Sequence, residues 1–291
     1  MNLPALDILA LLRSNGIHAR KSLGQNFLND AEALKKIIES AGISRQDVVL
    51  EIGAGPGCLT RYLALSSRQV IAVEMDPKLF PILTRVMSPF SNVSLICADI
   101  MKLDLNACIP ADSYLVVANI PYYLTSAIIR RLLETQASPR RIVLTIQKEV
   151  AERICSEPGE LNLLALSVQV YGQPVITAII PADRFHPKPE VDSAILRIDR
   201  TEKPYFEPTE LDHFFTIARA AFSQKRKTLR NSLSSGLHIA PARIEEILIR
   251  SGLDPQTRPQ DVSLPEWKTL LGVVAAQNDI ILKSTIGDEH K

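Results

Sequence analysis

Residues 48–60, Val-Val-Leu-Glu-Ile-Gly-Ala-Gly-Pro-Gly-Cys-Leu-Thr, decide the fold of this chain. An aliphatic run stops at three alternating glycines, and leucines then recur among polar residues. This pattern predicts a buried strand that turns tightly into a helix. Gly53, Gly55 and Gly57 allow backbone conformations with positive φ, and they carry no Cβ atom that would hold a ligand away from the peptide plane. The stretch therefore predicts a loop that binds a ligand.

The spacing of the glycines restricts the class of ligand. A dinucleotide fingerprint needs its third glycine three residues after the second, and Cys58 occupies that position. A P-loop would need Gly-Lys-Ser/Thr at its end, and none follows. The loop, with a second strand at 70–73 followed by Glu74, instead resembles that of S-adenosylmethionine-dependent methyltransferases. The resemblance implies that the Glu74 carboxylate accepts both ribose hydroxyls of the cofactor. Taken alone, the loop also fits a tight turn in any α/β protein.

Strands and helices alternate along the chain around this loop. Strands are predicted at 48–52, 69–74, 93–97, 113–118 and 141–147, and helices at 30–41, 57–66, 77–87 and 125–134. Such alternation predicts a Rossmann-like α/β domain, with helices on both faces of a mostly parallel sheet and ligands at the carboxyl ends of its strands. Gly53, Glu74, Asp99 and Asn119 each lie at or within two residues of the end of a predicted strand, so we expect all four along one edge of the sheet.

Two further strands, at 174–180 and 193–199, complete a seven-stranded sheet. The short return between them favours an antiparallel strand, and its prolines are expected to keep 181–190 extended. The flanking segments are assigned as helices at 5–15, 148–155 and 161–171 and as an irregular loop at 17–28.

The hydrophobic pattern beyond residue 209 is helical throughout, and Ser263 and Glu266 have the spacing of a capping box. We therefore expect a catalytic domain with an N-terminal extension at 1–200, a linker at 201–209, a small all-helical domain at 210–277 and a tail at 278–291.

The net charge of +1 hides a local excess of positive charge. No acidic residue lies between Asp212 and Glu245, whereas several Lys and Arg do: Arg219, Lys225, Arg226, Lys227, Arg230 and Arg243. The cluster predicts a polyanion-binding surface, although a solvated helix face would give the same pattern.

The spacing of cysteines and histidines predicts neither disulfides nor a metal site. Four cysteines are scattered without CxxC spacing, which suits a reducing cytosol, and five histidines lack metal-ligand spacing. The apolar N-terminus lacks the basic region of a signal peptide, and no run reaches membrane-spanning length. We expect a cytoplasmic protein that binds no metal and no membrane.

The stretch with the most specific chemistry is 117–123, Val-Ala-Asn-Ile-Pro-Tyr-Tyr. The exocyclic amine of adenine is a poor nucleophile, because its lone pair is delocalised into the ring. Acceptors on its two hydrogens can draw it toward tetrahedral geometry, and the side-chain oxygen of Asn119 and the carbonyl of Ile120 are candidates, with Pro121 turning the chain behind them. Tyr122 offers a ring on which the base can stack. The motif Asn-x-Pro-Tyr resembles the catalytic motif of amino-methylating nucleic-acid methyltransferases, and a chance turn of this composition is the alternative.

Two other side chains complete the hypothetical site. Asp99 could accept a hydrogen bond from the adenine amine of the cofactor, or could cap a turn. Phe185 could close a base sandwich with Tyr122, or could be ordinary core.

Five stretches together resemble the KsgA (RsmA) family of ribosomal RNA adenine dimethyltransferases, over residues 17–272. They are Lys-Ser-Leu-Gly-Gln-Asn-Phe-Leu at 21–28, the glycine loop at 53–57, Asn-Ile-Pro-Tyr at 119–122, Phe-His-Pro-Lys-Pro-Glu-Val-Asp-Ser at 185–193, and Ala-Phe-Ser-Gln-Lys-Arg-Lys-Thr-Leu-Arg-Asn-Ser-Leu at 221–233. The family dimethylates N6 of two adjacent adenosines in the 3′-terminal hairpin loop of 16S rRNA.

The resemblance implies a role for each matching residue. The catalytic set is Asn119, Ile120, Pro121, Tyr122 and Phe185. The S-adenosylmethionine-binding set is Asn26, Leu28, Gly53, Gly55, Glu74, Asp99 and Asn119. The RNA-binding set is Arg20, Lys21, Lys225, Arg226, Lys227 and Arg230. The implied partner is 16S rRNA in the 30S subunit, bound by a monomer. Two departures from the family pattern, Pro56 placed late in the glycine loop and Ile120 where leucine is common, remove no donor or acceptor.

The resulting hypothesis is direct in-line methyl transfer to a flipped adenine, with the loop at 17–28 closing over the cofactor. Three alternatives stay open: a 23S rRNA methyltransferase of the macrolide-resistance type, a non-catalytic RNA-binding assembly factor, and a small-molecule methyltransferase. The last would leave the basic C-terminal domain unexplained.

Overall fold

The computed structural model describes residues 3–4, 6–20, 23–109, 113–135, 137–201 and 205–276. The chain forms two compact units. The first comprises residues up to 152 together with 173–200, and the second comprises 153–172 with the chain from 201 onward. The observed division includes the expected boundary at 200, but it also assigns 153–172, which we expected in the catalytic domain, to the second unit.

Helices of the first unit alternate with its strands. The helices are α1 (Ile8–Ser14), α2 (Ala31–Ala41), α3 (Cys58–Ser66), α4 (Phe80–Met87), α5 (Leu105–Cys108), α6 (Thr125–Glu134) and α7 (Lys148–Ile154), the last of which ends in the second unit. The strands are β1 (Phe27–Leu28), β2 (Val48–Ile52), β3 (Gln69–Glu74), β4 (Val93–Cys97), β5 (Leu115–Asn119), β6 (Arg141–Gln147), β7 (Gly172–Ile180), β8 (Phe185–His186) and β9 (Ser193–Arg200).

Seven of these strands form the main sheet in the order β4-β3-β2-β5-β6-β9-β7. The first five are parallel to their neighbours, and β9 runs antiparallel to β6. Every residue of β2 is buried, as expected for a central strand covered on both faces. The strand order reverses between β2 and β5, and that switch point is where ligands bind in open α/β sheets.

The glycine loop leaves β2 at this switch point and enters α3, with Gly57 as the N-cap residue at φ 93°. Helix α2 covers the sheet through Leu34 and Ile37, which are almost fully buried. Its ends follow from the sequence, because Asp30 accepts from the Ala33 N–H at 2.8 Å and Gly42 adopts the left-handed conformation.

The second unit is helical: α8 (Leu163–Gln169), α9 (Pro208–Phe222), α10 (Leu229–Leu237), α11 (Pro241–Arg250) and α12 (Leu264–Ala275). Its core centres on Phe206, Phe214 and Trp267, with the first two rings stacked 4.4 Å apart between centroids. Ser263 and Glu266 form the expected capping box at the start of α12.

Several segments differ from the sequence prediction. Helix α5 was not predicted, and α9 begins at Pro208, inside the expected linker at 201–209. Residues 27–28 are not irregular, because they form β1 and pair antiparallel with β8. The segment 181–190 contains a 3₁₀ turn at 182–184 before that pairing, so it is not extended throughout. No helix in the described ranges is long and apolar enough to cross a membrane.

Candidate active site

A cleft opens at the carboxyl ends of β2, β3 and β5, with about 740 Å³ of empty space when its open mouth is counted. The predicted edge of the sheet supplies Gly53, Gly55, Glu74 and Asn119 to its wall. The chain that follows β5 adds Ile120, Pro121 and Tyr122, and the loop before β1 adds residues 23–26. The alternation of strands and helices therefore predicted the location of the cleft.

Glu74 is held at the floor of the cleft by two backbone N–H groups. Gly55 donates to its Oε2 at 2.7 Å and Asp76 donates to its Oε1 at 2.8 Å. Burial is the largest influence and raises the pKa of Glu74, while these two hydrogen bonds act in the opposite direction. Each carboxylate oxygen has a second lone pair, so both can still accept from a ligand hydroxyl.

Gly55 shows why the loop needs glycine. Its φ is +57°, and a Cβ built on it would lie 3.2 Å from the ring of Phe27. A side chain there would be strained and would push Phe27 out of its position above the loop. The absence of a side chain therefore lets the Phe27 ring pack on Gly55, whose backbone N–H donates to Glu74.

The amide of Asn119 is oriented by the N-terminal loop. Its Nδ2 donates to the backbone carbonyl of Asn26 at 2.9 Å, which leaves the Oδ1 as an acceptor. No described residue hydrogen-bonds to the carbonyl of Ile120, and Pro121 fixes the turn with φ −58°. The chain thus presents two acceptor oxygens at the end of β5.

Tyr122 lines the cleft beside these acceptors, with its hydroxyl 2.7 Å from Ser193 Oγ. Burial is the main cause that raises the pKa of Tyr122, so the phenol is neutral at physiological pH. The hydrogen bond to β9 fixes the ring and leaves its face as the available surface.

A polar network anchors the loop that precedes β1. Gln25 donates through Nε2 to Asp76 Oδ2 at 2.9 Å and accepts from the Arg20 N–H at 2.8 Å. The Arg20 guanidinium lies 3.6 Å from the other oxygen of Asp76, which is 1% exposed. Neither Gln25 nor Asp76 was predicted from the sequence to hold this loop. Gln25 lies in the stretch 21–28 that resembles the family, and Asp76 lies two residues after Glu74. Lys21 lies outside the described residues.

Three predicted residues do not line the cleft. Leu28 and Phe185 are paired with each other between β1 and β8 and belong to the hydrophobic core, with Phe185 only 5% exposed. The structure therefore does not form the expected sandwich of Phe185 with Tyr122, because that ring is packed inward. Asp99 accepts from the Met101 N–H at 2.9 Å and caps a turn, while its neighbours Ala98 and Ile100 line the cleft.

Glu51 is a charged residue type buried near the carboxyl end of β2, and no role was assigned to it from sequence. It is 1% exposed, and its Oε2 has no hydrogen-bond partner among the described residues. Burial raises the pKa of Glu51 to about 8; the Thr60 hydroxyl opposes the shift without reaching hydrogen-bond geometry, and Glu74 adds to it. Glu51 faces a small cavity behind the glycine loop that Gly53, Gly55 and Asn119 also line.

The centre of the basic cluster, residues 225–227, lies in the connection between α9 and α10. Lys225, Arg226 and Lys227 are exposed. Arg230 is half-buried in α10 and forms an ion pair with Glu245 at 2.9 Å. Three of the four predicted RNA-binding cations in this unit are therefore open to solvent, and the fourth is engaged within the unit.

The cleft fits S-adenosylmethionine by its chemistry. Glu74 offers acceptors for ribose hydroxyls, and Met75, Ala98 and Ile100 form an apolar wall suited to a purine. No Lys or Arg is found among the described residues that line the cleft, which agrees with a ligand that carries no phosphate. When bound, this cofactor would supply an electrophilic methyl group on a sulfonium.

Known proteins resemble the chain over most of its length. A family model described as ribosomal RNA adenine dimethylase matches residues 16–273. Ribosomal RNA small subunit methyltransferase A of Dehalococcoides mccartyi (strain CBDB1) is 42% identical over 255 residues, covering 87% of this chain and 88% of the relative. Among solved structures, the 23S rRNA methyltransferase ErmE is 28% identical with a TM-score of 0.71, covering 86% of this chain and 100% of that one. A dimethyladenosine transferase from Plasmodium falciparum shares the fold, with a TM-score of 0.72 at 24% identity, covering 86% of this chain and 98% of that one.

The sheet order, the cleft at its switch point and the C-terminal helices are those of a class I S-adenosylmethionine-dependent methyltransferase with an added helical unit. With the family match spanning both units, the chain belongs to the ribosomal RNA adenine dimethylase family.

Proposed function

We propose that this protein transfers methyl groups from S-adenosylmethionine to N6 of two adjacent adenosines in the 3′-terminal hairpin loop of 16S rRNA, within the 30S subunit. The observation that carries the proposal is the pair of acceptors at the end of β5, the Oδ1 of Asn119 and the carbonyl of Ile120, on the wall of the same cleft as Glu74. Relatives named for the small ribosomal subunit support the choice of RNA.

The two acceptors address the weak point of the substrate, which is the delocalised lone pair of the adenine amine. Hydrogen bonds from both amine hydrogens to Asn119 and Ile120 favour a pyramidal nitrogen, whose lone pair then points away from them. Acceptors fixed before the reaction stabilise the positive charge that develops on this nitrogen without reorganisation. The nitrogen would take the methyl group from the sulfonium of the bound cofactor, which would become a thioether, and the proton that the nitrogen loses would pass to solvent.

Tyr122 holds the target base by stacking, and the hydroxyl anchored on Ser193 keeps its ring face in place. Phe185 serves as the second face of the base only when β8 releases it from the core. We assign the basic residues at 225–227 to rRNA phosphates, and Arg20 and Lys21 to the RNA near the cleft. A monomer acting on ribosomal subunits in the cytoplasm, without a metal ion, is the simplest form of this activity.

One alternative has an observation in its favour. The likeness to ErmE, which is named as a 23S rRNA methyltransferase, fits the same acceptor pair and the same cofactor. The higher identity to relatives named for the small subunit favours 16S rRNA. A non-catalytic RNA-binding factor would have no need of an oriented Asn119.

Replacing Asn119 by Ala tests the proposal. Labelled cofactor is incubated with 30S subunits from a strain that lacks the modification, and the labelled nucleotides are mapped. We expect the wild-type protein to label two adjacent adenosines and Asn119→Ala to lose at least about 10²-fold in rate, the scale for one catalytic hydrogen-bonding group.

The matched control is Asn15→Ala, which removes an exposed amide at the end of α1 and should leave the rate unchanged. RNA binding by Asn119→Ala should also persist. In a parallel incubation with 23S rRNA, label there and none in the 30S subunits would support the ErmE-like alternative. A wild-type protein that fails to bind S-adenosylmethionine in calorimetry would refute the enzyme.

A further inference from the structure

Tyr123 differs from its neighbour Tyr122 in its surroundings. Its side chain is 60% exposed, while that of Tyr122 is partly buried and hydrogen-bonded to Ser193. Both belong to the 3₁₀ turn at 122–124, in which successive side chains point about 120° apart. The two rings therefore face different directions from one turn: that of Tyr122 toward the cleft and that of Tyr123 toward solvent.

The exposed ring is nevertheless held at the rim of the cleft. Gly24, which lines the cleft, has φ +60°, and a Cβ built on it would lie 3.0 Å from Pro121 Cβ and 3.2 Å from Tyr123 Cε1. The Cε1 and Cδ1 atoms of the ring thus lie beside Gly24 of the N-terminal loop, where a side chain would collide with them. A platform fixed on one side and open to solvent on the other loses little freedom when a flat ligand covers it.

A groove lined by α5 and α6 begins three residues after Tyr123 in the sequence. Residues three or four apart lie on one face of a helix, and Ser126, Ala127 and Arg130 line an open groove with α5. The Arg130 side chain is 65% exposed and pairs with Glu134 on the next turn. The groove therefore carries an exposed guanidinium whose Nε is bound by Glu134 and whose other N–H groups can donate to a phosphate.

We propose that Tyr123 is the stacking platform for the nucleotide adjacent to the target adenosine. The inference rests on the proposed function, in which one adenosine of a neighbouring pair enters the cleft beside Tyr122. When a base flips out, it no longer stacks on its neighbour, and one face of the neighbouring base becomes exposed to solvent. Tyr123 covers that face from the rim, one residue away from the ring that receives the target. The same turn thereby recognises two consecutive bases of single-stranded RNA.

The test compares KM for 30S subunits lacking the modification among four proteins: wild type, Tyr123→Phe, Tyr123→Ala and Ile249→Ala. Ile249 is 61% exposed on α11 and serves as the control for removing an equally exposed apolar side chain. Base stacking on an aromatic ring predicts a KM about tenfold higher or more for Tyr123→Ala. Tyr123→Phe keeps the ring face, so its KM and that of Ile249→Ala should stay within about twofold of wild type.

A second measurement uses a synthetic hairpin in which the neighbour of the target adenosine is abasic. Wild type should bind it about tenfold more weakly than the intact hairpin, whereas Tyr123→Ala should bind both equally. Calorimetry should give one dissociation constant for S-adenosylmethionine in all four proteins.

The inference is overturned by a Tyr123→Ala KM close to wild type, or by equal losses in Tyr123→Phe and Tyr123→Ala. It is also overturned if Tyr123→Ala binds S-adenosylmethionine more weakly by the same factor, since Tyr123 would then act only by supporting Gly24. A wild-type protein that binds the intact and the abasic hairpin equally well would overturn it too. A wild-type protein that labels no 30S rRNA would instead refute the proposed function itself. The labelling assay thus distinguishes failure of the proposed function from failure of the inference about Tyr123.

Discussion

Replacing Glu51 by Gln should remove a pH-dependent cost to folding. The carboxyl is 1% exposed, and burial raises its pKa from its ordinary value of 4.5 to about 8. Between those two pH values the folded protein keeps the proton and the unfolded chain releases it. The folded state therefore binds more protons, and stability falls as pH rises through this window. The slope from this one group is about 1.4 kcal/mol per pH unit, and the total is on the order of 5 kcal/mol.

Gln has nearly the same shape as Glu and does not ionise. Any effect of the buried amide on the free energy of unfolding is therefore the same at every pH. Chemical denaturation of the cofactor-free proteins at pH 5 and pH 7 should show Glu51→Gln gaining about 2 to 3 kcal/mol on wild type over that interval. Glu149→Gln, which removes an exposed carboxylate of α7, controls for the change in net charge. A difference between Glu51→Gln and wild type that does not change with pH would show that Glu51 ionises normally in the folded protein.

Three other changes have defined outcomes. Gly236→Ala should lower the free energy of unfolding by about 1–3 kcal/mol in denaturant titration, because the new Cβ would lie 2.7 Å from that of Ala220. Gly272→Ala is the control and should not lower it, because no atom lies within 4 Å of its new Cβ. Equal effects of the two substitutions would contradict this reasoning. Glu74→Gln should weaken S-adenosylmethionine binding about 10- to 100-fold in calorimetry, because a charged acceptor is lost, while unchanged affinity would remove Glu74 from the site. Replacing all three cations at 225–227 with Ala should reduce the slope of log affinity for rRNA against log salt by about 2, and an unchanged slope would place the phosphates elsewhere.

The sequence was sufficient to predict the parallel core and the place of the cleft. The glycine loop, Glu74 and Asn119 lie at the ends of strands, and the carboxyl ends of parallel strands share one edge whatever their order. Periodicity alone does not give the strand order, so the pairing of β2 with β5 could not be predicted from the sequence. The two-residue ladder between β1 and β8 was too short to leave a pattern, and it buries Phe185, which had been assigned to the site.

The grouping of residues 153–172 with the second unit was also beyond the sequence. Helical periodicity shows that α8 has an apolar face, but it does not show which core that face joins. Leu166 and Val170 of this segment pack in the core of the C-terminal unit. The basic cluster was visible from composition, whereas the pairing of Arg230 with Glu245 depended on how α10 and α11 pack.

In the proposed mechanism, the hydrogen bond from Asn119 to the carbonyl of Asn26 would make catalysis depend on the position of the N-terminal loop. With that carbonyl in place, the amide nitrogen is occupied and the oxygen is turned outward. If the loop swings away, the amide is free to rotate by half a turn, and it would then offer a donor where the substrate amine needs an acceptor. In the proposed mechanism, the N-terminal loop would thus set which atom of the Asn119 amide faces the substrate amine.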